Sequence, residues 1–313
     1  MSAPALIVIG GPTAIGKTAI AVALAERLDA EIVSADSRTL YRGMDIGTAK
    51  PTPEDRRRVP HHLIDVAAPD EIVTLADYQR LARVALEGIR GRHRVALLVG
   101  GTGLYIRAVV DDLRIPSAPP NWPLRAELEA EEHAGGPGTL YRRLLLVDPA
   151  AAMRVHPHNV RRIIRALEVH AGTGVPISML QQALLPATVD RAPVPGVAMF
   201  ALTMDGSLLQ ARIRRRIDQH LAAGLVEEVR SLLRTGFSRT LPALQGLGYK
   251  EIAAHLDGSV SLEEAGEILR RNTRRYAKRQ STWFRADRRY RWLDVGEAPP
   301  EAVAEQIRVM ITM

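Results

Sequence analysis

Residues 5–10, ALIVIG, form an unbroken apolar run closed by a glycine, the pattern of a strand buried on both faces. A glycine-rich turn follows, then helical spacing from about Lys17 to Leu28. Residues 31–35, EIVSA, predict a second strand that ends at Asp36 and Ser37, and a long polar loop runs from there to about Pro60. Residues 74–90 have helical spacing with Thr74 as N-cap. Residues 94–99, RVALLV, predict a third buried strand, stopped by Gly100-Gly101-Thr102. Apolar strands alternating with helices predict a parallel sheet covered on both faces. Past IPSAPPNWP (115–123) the pattern turns wholly helical, over 123–133, 139–146, 159–171 and 176–185, until APVPG (192–196). Proline clusters at both ends mark an inserted helical domain. Residues 197–203, VAMFALT, return to the sheet; 207–236 and 261–288 are mainly helical, and 290–295, YRWLDV, predict a last strand.

The turn after the first strand, Gly11-Pro12-Thr13-Ala14-Ile15-Gly16-Lys17-Thr18, is a phosphate cradle in its required strand–helix context. Backbone N–H groups and the helix N-terminus face phosphate oxygens, Lys17 reaches the outer phosphate, and Thr18 is the Mg²⁺ ligand. The expected fold is therefore α/β, a P-loop parallel sheet flanked by helices. Residues 1–118 are its first part, 119–195 the inserted all-helical domain and 196–313 its second part. A motor-type NTPase carries an acid at the end of a later strand, but RVALLV ends in Gly-Gly-Thr. Asp36, after the strand that follows the cradle helix, is placed to act as a base on a nucleophile; its plainer reading is a loop cap. Thr102 likewise reads as the N-cap of a helix over 103–111.

Composition adds three things. The chain has 313 residues, 46% hydrophobic and 25% charged, enough for a sizeable core. With no cysteine it has no disulfide or cysteine–zinc site, and His61, His62, His156 and His158 fit no common metal spacing. No apolar run of membrane-spanning length and no signal sequence is visible, so a soluble cytoplasmic protein is expected. Residues 270–291 hold ten Arg or Lys and one Asp, while the whole chain carries only +7. A basic element on a near-neutral body points to a polyanionic partner, nucleic acid above all. Of 42 basic residues only Lys17, Lys50, Lys250 and Lys278 are lysine. A lysine kept in so arginine-rich a chain suggests a place where a compact ammonium fits and a planar guanidinium does not.

The segments GPTAIGKT, DSRTLYRGMDIGTAKP (36–51), LLVGGTGLY (97–105), HPHNVRRIIRALEV (156–169), RIRRRIDQHLAAGLVEEV (212–229), GLGYKE (246–251) and AKRQSTWFR (277–285) together resemble the tRNA dimethylallyltransferase (tRNA isopentenyltransferase) family, bacterial type, over nearly the whole chain. The resemblance implies transfer of a dimethylallyl group from dimethylallyl pyrophosphate to N6 of the adenosine 3′ to a tRNA anticodon. The cradle then holds the donor's diphosphate with Mg²⁺, and Arg216 joins Lys17 on it. Asp36 takes the N6 proton, and Thr102 lies beside the adenine. Contacts to the anticodon stem-loop are implied for Asp36, Ser37, Arg38, Thr39, Thr102, Arg125, Arg161, Arg162, Arg165, Gly248, Tyr249, Lys250, Lys278, Arg279 and Gln280, with Arg274 and Arg285 as further phosphate contacts. Tyr276 and Trp283, seven apart on one helical face, are expected to pack in the core rather than stack on bases. Two positions depart from the family pattern: Thr39 stands where Gln is usual, and His220 where Met is. A monomer is the expected state.

The residues alone leave other readings open. A small-molecule kinase would use the same cradle for ATP and Asp36 as base, but leaves the basic helix and the insert without a task. An adenylate prenyltransferase shares the chemistry without needing an RNA grip. A non-catalytic RNA-binding protein has no use for Lys17 and Asp36.

Overall fold

The computed structural model describes residues 4–115, 120–180 and 193–312. They belong to two compact units, Met1–Asp111 with Ala187–Met313, and Asp112–Pro186; both boundaries fall earlier in the chain than the proline clusters suggested.

The first unit is built on β1 (Leu6–Gly10), β2 (Glu31–Ser34), β3 (His61–His62), β4 (Ala96–Gly100), β5 (Val197–Thr203) and β6 (Arg291–Asp294). All six are parallel, in the order β3-β2-β4-β1-β5-β6. Strand alternation sends Ile7, Ile9, Leu97, Val99, Phe200 and Leu202 to one face, where α1 (Lys17–Leu28) and α14 (Pro300–Thr312) cover them. Val8, Val33, Leu98 and Ala201 face the other way. There they meet α3 (Leu75–Gly91), α4 (Gly103–Val110), α10 (Gly206–Ala222), α11 (Leu225–Arg234), α12 (Tyr249–Leu256) and α13 (Leu262–Arg285). Both faces being dry explains why the strands read as continuous apolar runs.

α1, α3 and β5 lie where the pattern predicts them, and Thr74 caps α3 in a full capping box with Asp77. The helical stretch 207–236 is instead two helices, parted at Gly224, whose φ of 100° ends the first. The polar loop 38–60 also holds more order than its sequence advertises. It contains α2 (Pro53–Arg58), capped by Thr52, and it is pinned by the buried Lys50 and the half-buried Glu228. The Lys50 ammonium donates to Tyr41 O at 2.5 Å, Asp45 Oδ1 at 2.6 Å and Asp65 Oδ1 at 2.5 Å. The Glu228 carboxylate on α11 accepts from the N–H groups of Asp45, Ile46 and Gly47 (2.9, 2.7 and 3.1 Å) and from the Tyr249 hydroxyl at 2.6 Å.

The second unit consists of α5 (Trp122–Gly135), α6 (Thr139–Val147), α7 (Pro149–Ala152), α8 (Val160–Thr173) and α9 (Ile177–Leu180), with no strand among its described residues. It has a core of its own, including Leu128, Leu140, Leu144, Ile163 and Leu167. Residues 116–119 and 181–192, which take in part of the first proline cluster, Ala192 of the second and the end of the 176–185 helical segment, lie outside the described residues.

At the start of β2 the Glu31 side chain, only 3% exposed, accepts two bonds from Arg92 (2.8 and 2.7 Å) and meets His62 Nε2 at 2.6 Å. The Arg92 bonds hold its carboxyl at about 2 against the opposing effect of burial, with His62 assisting. A carboxyl held below its unfolded value stabilises fully above pH 4.5 and loses that contribution as pH falls toward 2. Glu31→Gln should therefore cost about 2–3 kcal/mol at neutral pH, with the deficit shrinking across that window. Urea midpoints of both proteins over the acid range check this; a deficit that does not change with pH contradicts it.

Candidate active site

The carboxyl ends of β1, β2 and β4 each run into a turn, and the three turns meet. After β1 the chain passes through Gly11 (φ 149°), Ala14 (φ 65°) and Gly16 (φ 101°) into α1. These conformations let successive N–H groups converge on one side, the arrangement that binds anions. The Lys17 ammonium donates to Gly11 O at 2.9 Å and Pro12 O at 2.8 Å. Arg212 on α10 donates to Ile15 O at 3.2 Å and Gly296 O at 3.1 Å, bracing the loop from behind.

After β2 comes Asp36, whose Oδ1 accepts from Arg38 N–H at 2.9 Å; it does cap its turn, as its plainer reading held. Ser37 N–H donates to Thr102 Oγ1 at 3.1 Å, so the Thr102 hydroxyl is spent on the Asp36 turn and not on capping α4. Thr102 N–H in turn donates to Ala35 O at 3.0 Å. Gly100 must lack a side chain here, because a methyl group would overlap the Ala35 carbonyl. Gln280 of α13 is buried between the first and third turns: its Oε1 accepts from Thr13 N–H at 2.8 Å and its Nε2 donates to Gly101 O at 2.9 Å.

Two cavities open over these turns. One, of about 510 Å³, is lined by the cradle through Lys17 and Thr18 and by Arg212, Arg215 and Arg216 of α10. The other, of about 300 Å³, is lined by Ser37, Arg38, the backbone turn at 246–250, Tyr276 and Arg279. They share Thr13, Ala14, Asp36, Thr48, Arg216 and His220. Asp36 thus borders both. Burial pushes the Lys17 ammonium down to about 8, with Asp36 opposing and Arg216 adding to the shift. Burial also lowers Arg216, again against the pull of Asp36. Burial and then Arg216 hold His220 at about 4, leaving its imidazole neutral near pH 7. The arrangement is a cation-lined anion site in which Lys17 and Arg216 stand beside a carboxylate that faces a second compartment.

The other residues singled out by sequence are spread over both units. Ser37, Arg38, Gly248, Tyr249, Lys250 and Arg279 border the second cavity, though Arg38 is also tied to Pro242 O and Ala243 O (2.5 and 3.2 Å). Thr39, Gly248, Tyr249 and Gln280 are buried. Thr39 Oγ1 lies 2.9 Å from Ser34 Oγ. In the second unit Arg125 and Arg165 bond the buried Glu168, while Arg161 and Arg162 are exposed. Lys278 is exposed, and so is Arg285; Arg274 is half-buried. The expectation that Tyr276 and Trp283 pack in the core is corrected. The buried stripe of α13 runs through Leu269, Ala277, Gln280 and Phe284. Tyr276 lies beside it, half-buried, and Trp283 is 39% exposed. The spacing of Ala277, Gln280 and Phe284 was the sequence signal that Gln280 points inward.

The family model for IPP transferase matches residues 39–287. The chain belongs to the IPP transferase family. Relatives extend the similarity over the cradle and Asp36. A tRNA dimethylallyltransferase of Desulforudis audaxviator is 54% identical over 305 residues, 97% of this chain and 96% of that protein. The crystal structure of the tRNA isopentenylpyrophosphate transferase of Bacillus halodurans is similar with a TM-score of 0.71 and 42% identity, covering 98% of this chain and 95% of that one. A eukaryotic dimethylallyltransferase acting on tRNA reaches a TM-score of 0.78 at 25% identity, over 97% of this chain and 77% of its own. These likenesses span both units of the chain.

Gln280→Leu would strip a partner from Thr13 N–H and from the Gly101 carbonyl, and should cost about 2–3 kcal/mol. Chemical denaturation of the two proteins measures it; a loss within error of zero would show that the two turns do not depend on the amide.

Proposed function

We propose that this protein transfers a dimethylallyl group from dimethylallyl diphosphate to the N6 amine of the adenosine 3′ to a tRNA anticodon. The observation that carries the reading is that Asp36 borders both an anion-binding cavity and a second cavity large enough for a nucleobase.

The N6 lone pair is delocalised into the adenine ring, so the amine is a weak nucleophile. In the proposed reaction N6 attacks C1 of the donor, the C1–O bond breaks, and the diphosphate departs with the bonding electrons. Asp36 accepts the N6 proton as the new N–C bond forms. Negative charge builds on the departing bridging oxygen, and the cradle N–H groups, Lys17 and Arg216 stabilise it. Two cations whose charged forms are disfavoured by burial gain most from an arriving anion, so the cavity is biased toward a multiply charged ligand. The reaction partners are assigned to separate compartments, donor over Lys17 and adenine over Tyr276 and Arg279, with Thr102 holding the Asp36 turn between them. Adenine reaches that position only when flipped out of its stack, at a cost of a few kcal/mol.

Mg²⁺ suits the donor cavity. No group of three or more His, Asp or Glu that could cage a metal exists among the described residues, and Mg²⁺ commonly takes one or two protein oxygens and completes its shell with phosphate and water. Thr18 would hold it, and the ion would neutralise diphosphate charge. The exposed Arg161 and Arg162, together with Lys278 and Arg279 on α13, are proposed to grip the stem-loop phosphates. No helix among the described residues is long and apolar enough to cross a membrane. We further propose a monomer working in the cytoplasm, where its RNA substrate is found.

Incubation with labelled dimethylallyl diphosphate, Mg²⁺ and tRNA, followed by nucleoside analysis, tests the reading. Label in N6-(dimethylallyl)adenosine is expected; label left wholly in the donor would overturn it. Asp36→Asn should lower kcat roughly 10²- to 10⁴-fold while leaving RNA affinity near the parent's. Near-normal turnover would remove Asp36 as the base. Because Lys17 is charged only below about 8, affinity for the donor's diphosphate should hold steady at neutral pH and fall as pH rises through that value. Calorimetric titration with inorganic diphosphate checks this, and Lys17→Met should erase the inflection.

A further inference from the structure

Tyr276, Arg279 and Trp283 stand at i, i+3 and i+7 on α13 and so share one side of the helix. Tyr276 lines the second cavity. Arg279 lines the same cavity, with its guanidinium 5.7 Å from the Tyr276 ring centroid. Two turns beyond Tyr276, Trp283 borders neither cavity and is 39% exposed. Its indole is not loose. It lies against Gly103 so closely that a methyl group there would overlap the ring, and Gly103 follows directly on Thr102. One turn back, Gln280 fastens α13 to Gly101. A large aromatic side chain is thus fixed on the backbone beside the Thr102 turn while part of its surface meets water. Around it Lys278, Arg279, Thr282 and Arg285 are all exposed.

The geometry points to Trp283 as a stacking platform for the nucleobase adjacent to the reacting adenosine. This rests on the function proposed above. Extruding one base leaves its neighbours each with a bare π face. A held indole just outside the cavity, with cations alongside for the backbone phosphates, is the kind of surface on which single-stranded bases stack. Trp283 is then a positioning residue: it steadies the loop from outside while Asp36 acts inside.

The test uses the full chain and an anticodon stem-loop RNA with 2-aminopurine placed on the 5′ or the 3′ side of the reacting adenosine. Trp283→Leu should weaken RNA binding roughly 5- to 150-fold, and 2-aminopurine emission at one of the two positions should be higher in its complex than in the parent's. Trp283→Phe should recover most of both. Affinity for dimethylallyl diphosphate should be the same in all three proteins, and melting temperatures establish that each is folded. If the leucine variant does not fold, Trp283→Phe and Trp283→His, which keep a ring, should still bind RNA near the parent level. Equal losses in the leucine and phenylalanine variants would assign Trp283 to packing and overturn the inference, as would RNA affinity and emission unchanged in Trp283→Leu. Normal prenylation by the parent alongside such a result sinks this inference alone. A parent that prenylates no RNA sinks the proposed function and this inference with it.

Discussion

Lys17 and Arg216 are held beside the Asp36 carboxylate in a partly dehydrated pocket whose lining carries more cations than carboxylates. That imbalance is what the rest of the first unit serves. Left to itself each cation would prefer water, and burial lowers the affinity of both for their protons. Asp36 offsets part of the penalty, and an anion in the cradle offsets more. The site stores its readiness for a diphosphate as the cost of holding these charges together. The same carboxylate that steadies the cations borders the second cavity, so in the proposed reaction electrostatic support and proton acceptance fall to one side chain.

Such a site needs rigid walls, and buried polar groups provide them. Gln280 spans from the cradle to the Gly-Gly-Thr turn. Glu228 gathers three backbone N–H groups and a phenol, fixing the segment that carries Thr48, which borders both cavities. Gly47 is packed against the Tyr249 ring too tightly for any side chain. Gln280 holds two backbone groups and Glu228 three, and polar side chains partnered in this way rigidify the turns they join. The positions that look most like ligand contacts in the motifs are in several cases the struts behind the ones that are.

The pattern of apolar runs was enough to find five of the six strands and most of their covering helices, though not α14, because strands dry on both faces have one dominant signature. It could not find α2, α12 or β3, which are short and owe their form to tertiary anchors such as Lys50 and Glu228. Gly224 was visible as a residue, but nothing nearby said that it would split a long helical stretch. Lys17, Asp36, Arg216 and Thr102 could be singled out from motifs; the structure brings Lys17, Asp36 and Thr102 to neighbouring turns and sets Arg216 of α10 over the cradle cavity. What the motifs could not convey was direction. Gln280 and Trp283 lie three residues apart in one basic segment; one is buried between two turns and the other faces solvent. Arg125 and Arg165 look like RNA contacts by composition, yet both bond the same buried glutamate, Glu168. A helix's charge is written in its sequence; which of its charges are already spoken for is not.

Lys50 gives the scarcity of lysine a boundary. Its ammonium sits among three oxygens at 2.5–2.6 Å, closer quarters than a planar guanidinium with its wider fork can enter. This chain has written nearly all its positive charge with the bulkier group, a drift that surface positions accept without consequence. At position 50 the drift meets a wall of geometry: the exchange that counts as conservative elsewhere would here evict a side chain from its socket and loosen the loop beside the donor cavity. The codon for this one residue is held by the shape of a hole.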